Sequence, residues 1–376
     1  MTAIYPDITF QHLQTLGDSV RLCDSEVVDG DLVSLYHYRQ CDDASDSLLK
    51  QFRGIVFASS ATGGEDTTKL VMRGFPYTPE IIVDSTNTNV LDDLTRLFPG
   101  SRFFESHEGT IIRVFFHKKW FVSTHKRLDS STSRWGSNES FEDIFRRAID
   151  TIGQNAGYNY ETFFDRLDKS RQYMFLLRNT NENRIVSTVQ PNTPLVYHVG
   201  TYIDNKLNIE DDIGIIRPKE IKIENPQQLL DTVLSMGQMI PIYFQGVFAC
   251  GENGFYKLIS GVYHKLSKVR GNEPNLMKRY LEVRKTEDFN GFQYLYGFDV
   301  GQKVETSLGK IARNIHITYM KRFISKQYAV VDPTRYGVLK ACHSQYLQNR
   351  QPVTLDVVWR VLNEETSENL YRMLMA

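Results

Sequence analysis

Cysteine is scarce and scattered: Cys23, Cys41, Cys250 and Cys342 are the four in the chain, and no CxxC pair occurs. That excludes a disulfide framework and a tetrahedral zinc site, which need cysteines at short paired intervals, and it fits a reducing, cytosol-like compartment. No apolar run approaches the roughly 18 residues a membrane span requires. The opening segment MTAIYPDITFQHLQTLGDSV lacks the basic stretch and apolar centre of a secretory signal. The chain is therefore expected to stay where it is made, cytoplasmic and without a membrane partner. Net charge is only −1 over 376 residues, so no overall basic field announces nucleic acid. Internal repeats and low-complexity tracts are missing too, which sets aside solenoids and disordered tails.

What remains is ordinary globular composition, 41% hydrophobic and 24% charged, enough for one large domain plus an appended one. RGIVFAS, KLVMRGF, TIIRVFF and WFVST are short β-branched and aromatic runs bounded by turn residues, so residues 50–125 read as sheet. SNESFEDIFRRAIDTIG changes period. It sets Phe141, Ile144, Phe145, Ala148 and Ile149 on one helical face, and Ser140 with Asp143 forms a capping box. YMFLLRN, NRIVSTV and LVYHVGTYID return to strand. NPQQLLDTVLSMG then reads as a helix with an Asn225 cap and Pro226 in its first turn. YFQGVFACGENGFYKLISGVY reads as a hairpin through GENG, and helical patterns dominate after Pro274. The expectation is an α+β fold with antiparallel sheets: an N-terminal segment 1–44 packing on the core, a domain over 45–272, and a helical C-terminal domain over 273–376.

Charge is segregated along the chain. Between Lys257 and Lys285 eight basic residues face two acids, whereas Asp24 to Asp46 is acid-rich. Lys265, Lys268, Arg270, Lys278 and Arg279 interleave with Tyr263, His264 and Tyr280, a composition that suits stacked bases and phosphates or an acidic protein partner. Of the two, docking to a protein is the favoured expectation. The same pattern also describes a solvated face.

In its order of motifs, ESHEGTIIRVFFHKKWFVSTHK resembles the nucleophile segment of the T4-type RNA ligases. These belong to the covalent nucleotidyltransferase superfamily, with DNA ligases and mRNA capping enzymes. FRGIVF is similar to the arginine-glycine strand before that segment, RNTNENRIVSTV to the third motif, QGVFACGENGFYKLISGVYHKL to the fourth and fifth, and NEPNLMKRYLEVR to the helix after them. The resemblance covers roughly residues 50 to 285 and implies a nucleotidyltransferase (ATP-grasp-like ligase) fold. It also implies a lysine amine that attacks the α-phosphate of ATP, supported by metal-binding carboxylates.

This chain departs from that chemistry. Ser106 stands where the nucleophilic lysine belongs, Leu177 where the third motif has its glutamate, Gln245 where the fourth has glutamate, and Ile259 where the fifth has its second lysine. A Ser106–His107 dyad is not expected, because neighbours in an extended segment point to opposite faces. What survives is Arg53, Glu108, Gly109, Arg184, Gly246 and Lys257; all of these but Gly246, together with Gln245, would outline a vestigial nucleotide or phosphate pocket. Arg53 and Lys257 can hold a phosphate, or equally be rim charges; Glu108 reads as a turn carboxylate before a metal or ribose contact. The expectation is a catalytically inactive ligase-like protein, with no metal and no cofactor, acting as a structural or binding component with protein partners. RNA or a nucleotide is the other candidate partner. Ligase-like proteins of this kind are encoded by large DNA viruses, so the resemblance implies a virus particle or assembly complex as a setting. The competing expectation keeps activity, through Lys257, Lys118 or Lys126.

Overall fold

A computed structural model describes residues 2–4 (backbone only), 7–60, 68–84, 87–179, 185–187, 191–251 and 254–376. The chain divides into two compact units, residues 1–265 and 266–376.

All the strands among the described residues lie in the first unit, in three sheets. One sheet runs β2 (Val20–Val28), β3 (Asp31–Tyr38), β4 (Arg53–Ser60), β5 (Lys69–Met72). Part of the N-terminal segment is thus built into a sheet, with β3 paired to β4 in an antiparallel ladder. The largest sheet has the order β1 (Thr2–Ile4), β12 (Lys206–Asn208), β11 (Leu195–Ile203), β10 (Gln172–Arg178), β8 (Thr110–His117), β9 (Lys119–Ser123). The third has the order β13 (Glu220–Ile221), β7 (Arg102–Ser106), β14 (Gly246–Gly251), β15 (Gly254–Ser260), β6 (Glu80–Val83). The pairs are antiparallel except β15 with β6, which run parallel and set Lys257 opposite Glu80. The α+β expectation, antiparallel sheets followed by C-terminal helices, describes this architecture.

Two helices hold the sheets that carry the site. The Phe141–Gly153 helix begins at the capping box read from the sequence, with Ser140 and Asp143 each bonding the other's backbone N–H. It buries Ile144, Phe145, Ala148 and Ile149 against Ile112, Val114, Tyr173 and Phe175 of β8 and β10. Each such side chain contributes about 1.5–3 kcal/mol, so Phe145→Ala alone would cost about 3–5 kcal/mol. The Pro226–Gln238 helix, capped by Asn225, packs Leu229, Val233 and Met236 on Val247, Ala249 and Leu258 of β14 and β15. That clamps the hairpin behind Gln245 and Lys257.

Two local expectations need correction. The hairpin does not run on to Tyr263: a helix starts at Gly261, because the Ser260 hydroxyl accepts the Tyr263 N–H (3.2 Å) and caps its first turn. Nor do residues 185–187 of NRIVSTV form a strand. Their three backbone N–H groups donate to the Glu108 carboxylate instead of to a neighbouring strand.

The second unit is helical. Its centre is the Asp299–Tyr319 helix, which buries Val304, Leu308, Ile311, Ala312, Ile315 and Tyr319. The Leu276–Val283 helix starts at Asn275, whose side chain accepts the N–H groups of Met277 and Lys278. No helix among the described residues is long and apolar enough to cross a membrane.

Candidate functional site

Ser106 ends β7 and is paired with Gly246 of β14, so the ladder brings Gln245 beside it: the Gln245 N–H donates to the Ser106 carbonyl (2.8 Å) and the Ser106 hydroxyl to Gln245 Oε1 (3.4 Å). Both line a cavity of about 370 Å³. Arg53, at the start of β4, and Lys257, on β15, line the same cavity, as does Gly109. Three strands distant in sequence thus converge on one space. Arg53 Nη1 donates to the Pro76 carbonyl (3.3 Å), and Lys257 Nζ lies 3.2 Å from Glu80, the residue the parallel β6–β15 register places opposite it.

Glu108 does not share this cavity. It is 5% exposed, and its carboxylate accepts the N–H groups of Ile185 (3.1 Å), Val186 (2.6 Å) and Ser187 (2.5 Å). Tyr263, from the first turn of the Gly261–Arg270 helix, also hydrogen-bonds it. With its oxygens filled from inside, Glu108 is neither a loose turn carboxylate nor a free ligand for metal or ribose. It is an anchor that holds residues 185–187. Arg184 lies outside the described residues.

His107 turns away from Ser106's partner. Its ring stacks on Tyr197 (4.9 Å, 10°) and tilts against Phe244 (5.0 Å), while Nδ1 faces Arg178 Nη1 at 3.4 Å. Burial, with the nearby Arg178 charge, pushes its pKa down to about 4. Ser106 therefore has Gln245, not an imidazole base, as its hydrogen-bond partner. On β10, Leu176 faces the cavity and Leu177 packs into the core beneath the Phe141–Gly153 helix. The residue presented at the third-motif position is thus Leu176, apolar like its neighbour.

Sequence reasoning passed over four ionisable cavity residues: Glu105, His125, His198 and Arg217. The buried atoms His125 Nε2 and Arg217 Nη2 have no hydrogen-bond partner among the described residues. Burial and the neighbouring Arg53, Arg113 and His37 drive the His125 pKa well below its usual value. Arg113 adds to this concentration of positive charge. It is fully buried, donates to the carbonyls of Gly54 and Thr124, and is pushed down to about 9 by burial and by Arg53. Glu105, the one carboxylate lining the cavity among the described residues, has its pKa raised by burial, with Lys219 working the other way. No short motif marks Arg217 or His125; only the sheet packing brings them in.

The chemistry available follows from this donor set. Arg53, Arg217 and Lys257 give a cation-lined space with buried N–H groups awaiting an acceptor, which suits an anion. No group of three His, Cys, Asp or Glu that could hold a metal ion occurs among the described residues. Lys257 is the single lysine lining the cavity among the described residues. Lys118 sits in the β8–β9 turn, 3.1 Å from Asp31 and donating to the Asp29 carbonyl, and Lys126 does not line the cavity either.

The basic run does not form one free face. Arg270 is 1% exposed and donates to the carbonyls of Glu273 and Pro274, because it closes the turn that follows its own helix. Arg279 donates to the Lys268 (3.1 Å) and Val269 (2.9 Å) carbonyls, satisfying the C-terminus of the same helix. Lys278 lies between Glu273 (3.4 Å) and Glu368 (3.1 Å). Lys268 is exposed, and Lys265, in the first unit, is exposed with Asp84 3.6 Å away.

No model of a known protein family matches the chain. It is 27% identical over 362 residues to an immediate-early protein ICP-46 homolog of Invertebrate iridescent virus 6, covering 87% of this chain and 77% of that protein. With the ICP-46 homolog of Invertebrate iridescent virus 3 it shares 28% over 257 residues, 66% of this chain and 54% of the relative. Among solved structures, an archaeal ATP-dependent RNA ligase superposes with a TM-score of 0.44 at 12% identity, covering 77% of this chain and 71% of the ligase.

Proposed function

We propose that the chain is an RNA-ligase-like viral protein that has lost the nucleotidyl-lysine step and uses the remaining cavity to bind. The observation that carries this is the convergence of Arg53, Ser106, Gln245 and Lys257 on one space. These are positions the motif resemblance assigns to one active site. At two of them the side chains the reaction requires, an amine nucleophile and a carboxylate, are replaced by a hydroxyl and an amide. A phosphoramidate needs a nitrogen nucleophile, and divalent metal needs anionic oxygens. The cations survive, so an anionic ligand, phosphate-bearing in the ligase-like reading, is what the cavity favours. The relatives' immediate-early name supports a role early in infection and lends none to a place in the particle.

Incubation with α-labelled ATP or GTP and divalent metal, followed by denaturing electrophoresis, tests the reading. The expected result is no acid-labile label on the protein. Label that disappears in Lys257→Met would establish the competing function, an atypical nucleotidyltransferase using that lysine.

A further inference from the structure

The helical unit carries a charged face that no motif marked. From residue 306 to 331 the chain has five Lys and Arg residues and no Asp or Glu. Most of the stretch lies on the Asp299–Tyr319 helix and its continuation Met320–Ile324. One side of that helix is sealed by its apolar residues. At about 100° per residue, Lys303, Lys310, Arg313 and Lys321 fall on the opposite side, and all are exposed.

Some other cations of this unit have acidic partners: Lys278 with Glu273 and Glu368, Arg279 with Glu282, Arg284 with Glu305, Arg335 with Asp332. Lys303, Lys310, Arg313, Lys321, Arg322 and Lys326 have none among the described residues. Solvated cations are common singly. The helix has acids at Asp299 and Glu305 in its first two turns; from residue 306 to its end at Tyr319, about 20 Å at 1.5 Å per residue, it has none, and a row of cations over that length matches the repeated charge of a polymer. Exposed Gln302, Thr306 and Asn314 fill the gaps with neutral hydrogen-bonding groups, which phosphate and sugar oxygens use and a lipid surface does not need. Beyond the helix end, Tyr328 is 92% exposed and offers a ring face to a base.

We propose that this face binds the backbone of a single-stranded polynucleotide. The choice of RNA as the polymer rests on the ligase-like reading; the charge pattern stands apart from it. Binding of a fluorescein-labelled oligouridylate, followed by anisotropy from about 50 to about 200 mM salt, is the test. Five phosphate contacts predict a log–log salt slope of about −3.5. Lys310→Gln/Arg313→Gln/Lys321→Gln should remove about two units of that slope and at least about tenfold in affinity at low salt. Lys265→Gln/Lys268→Gln should change neither. All substituted residues are exposed; should the triple variant nevertheless melt early, single Lys310→Gln and Arg313→Gln variants are expected to lose about 0.7 of slope each. A triple variant that binds as the parent does, a parent that binds no oligonucleotide, or a parent that prefers phosphatidylserine vesicles would each overturn the proposal. The nucleotide-labelling result is independent of all three.

Discussion

Replacing Glu108 separates two roles for the carboxylate that the nucleotidyltransferase-like motif retains. If it were a vestigial metal or ribose contact, Glu108→Gln would leave stability unchanged. The structure demands otherwise. Three backbone N–H groups, of Ile185, Val186 and Ser187, converge on a side chain that is 5% exposed. A hydrogen bond to a charged group contributes about 1.5–3 kcal/mol, against about 1 kcal/mol between neutral partners. In the glutamine variant one oxygen can still accept from Val186 and Ser187, but without charge, and its amide nitrogen would face the Ile185 N–H donor to donor. Loss of one bond and weakening of two amounts to about 2–4 kcal/mol. Glu108→Ala, which leaves all three donors unsatisfied, should cost more. Native-state hydrogen exchange reads this locally: the amides of residues 185–187 should exchange faster by roughly 30- to 1,000-fold, the same free energy expressed as a ratio. Denaturant unfolding of the first unit should show the matching drop. Unchanged exchange at these three amides, with stability within about 0.5 kcal/mol of the parent, would refute the anchor.

Ser106→Lys alone is expected not to give nucleotidyl transfer in the labelling assay, because with Leu176 and Gln245 in place Glu105 is the single carboxylate lining the cavity among the described residues; labelled protein from the single variant would contradict this. Gly246→Ala should destabilise the β14–β15 hairpin. Gly246 sits at φ 151°, a region that favours glycine, and an added Cβ would run into the Leu258 carbonyl; an unchanged melting temperature would count against it. Acid should destabilise the first unit before its carboxylates titrate. Burial pushes His37, His107 and His198 down to about 4, and His125 well below the usual value of 6.5. The unfolded chain therefore binds these protons first, and stability complete above pH 6.5 falls as pH drops toward 4, by up to one proton per histidine. A flat stability profile between pH 6.5 and 5 would show that these imidazoles are solvated.

How much of this was legible depends on the range of the interaction. Local signals were read correctly where the residues that define an element sit within a turn or two of each other. Ser140 with Asp143 started a helix where expected, and Asn225 with Pro226 started another. Alternation failed at residues 185–187, because a β-branched run says that strand backbone is available but not what will accept its N–H groups; a carboxylate 77 residues upstream did. It failed again at Gly261, where one serine hydroxyl diverted the chain into a helix.

The amino-acid sequence determined which reactive groups exist. No folding can supply an amine at Ser106 or a carboxylate at Gln245; the hydroxyl and the amide that stand there are fixed at the level of covalent structure. Which surviving groups meet was decided by the sheets. Strand pairing set Lys257 against Glu80 and Gln245 against Ser106, and it turned Glu108 inward. It also drew Arg217 and His125, neither singled out in the sequence, into the same cavity as Arg53. The basic run from Lys257 to Lys285 was divided in the same way. Arg270 was taken up by the turn carbonyls of Glu273 and Pro274, and Arg279 by the helix-terminal carbonyls of Lys268 and Val269, which only the folded chain presents. A charge in a sequence is a property of its residue, whereas its being free or paired is a property of distances, and those are fixed only when the chain has packed.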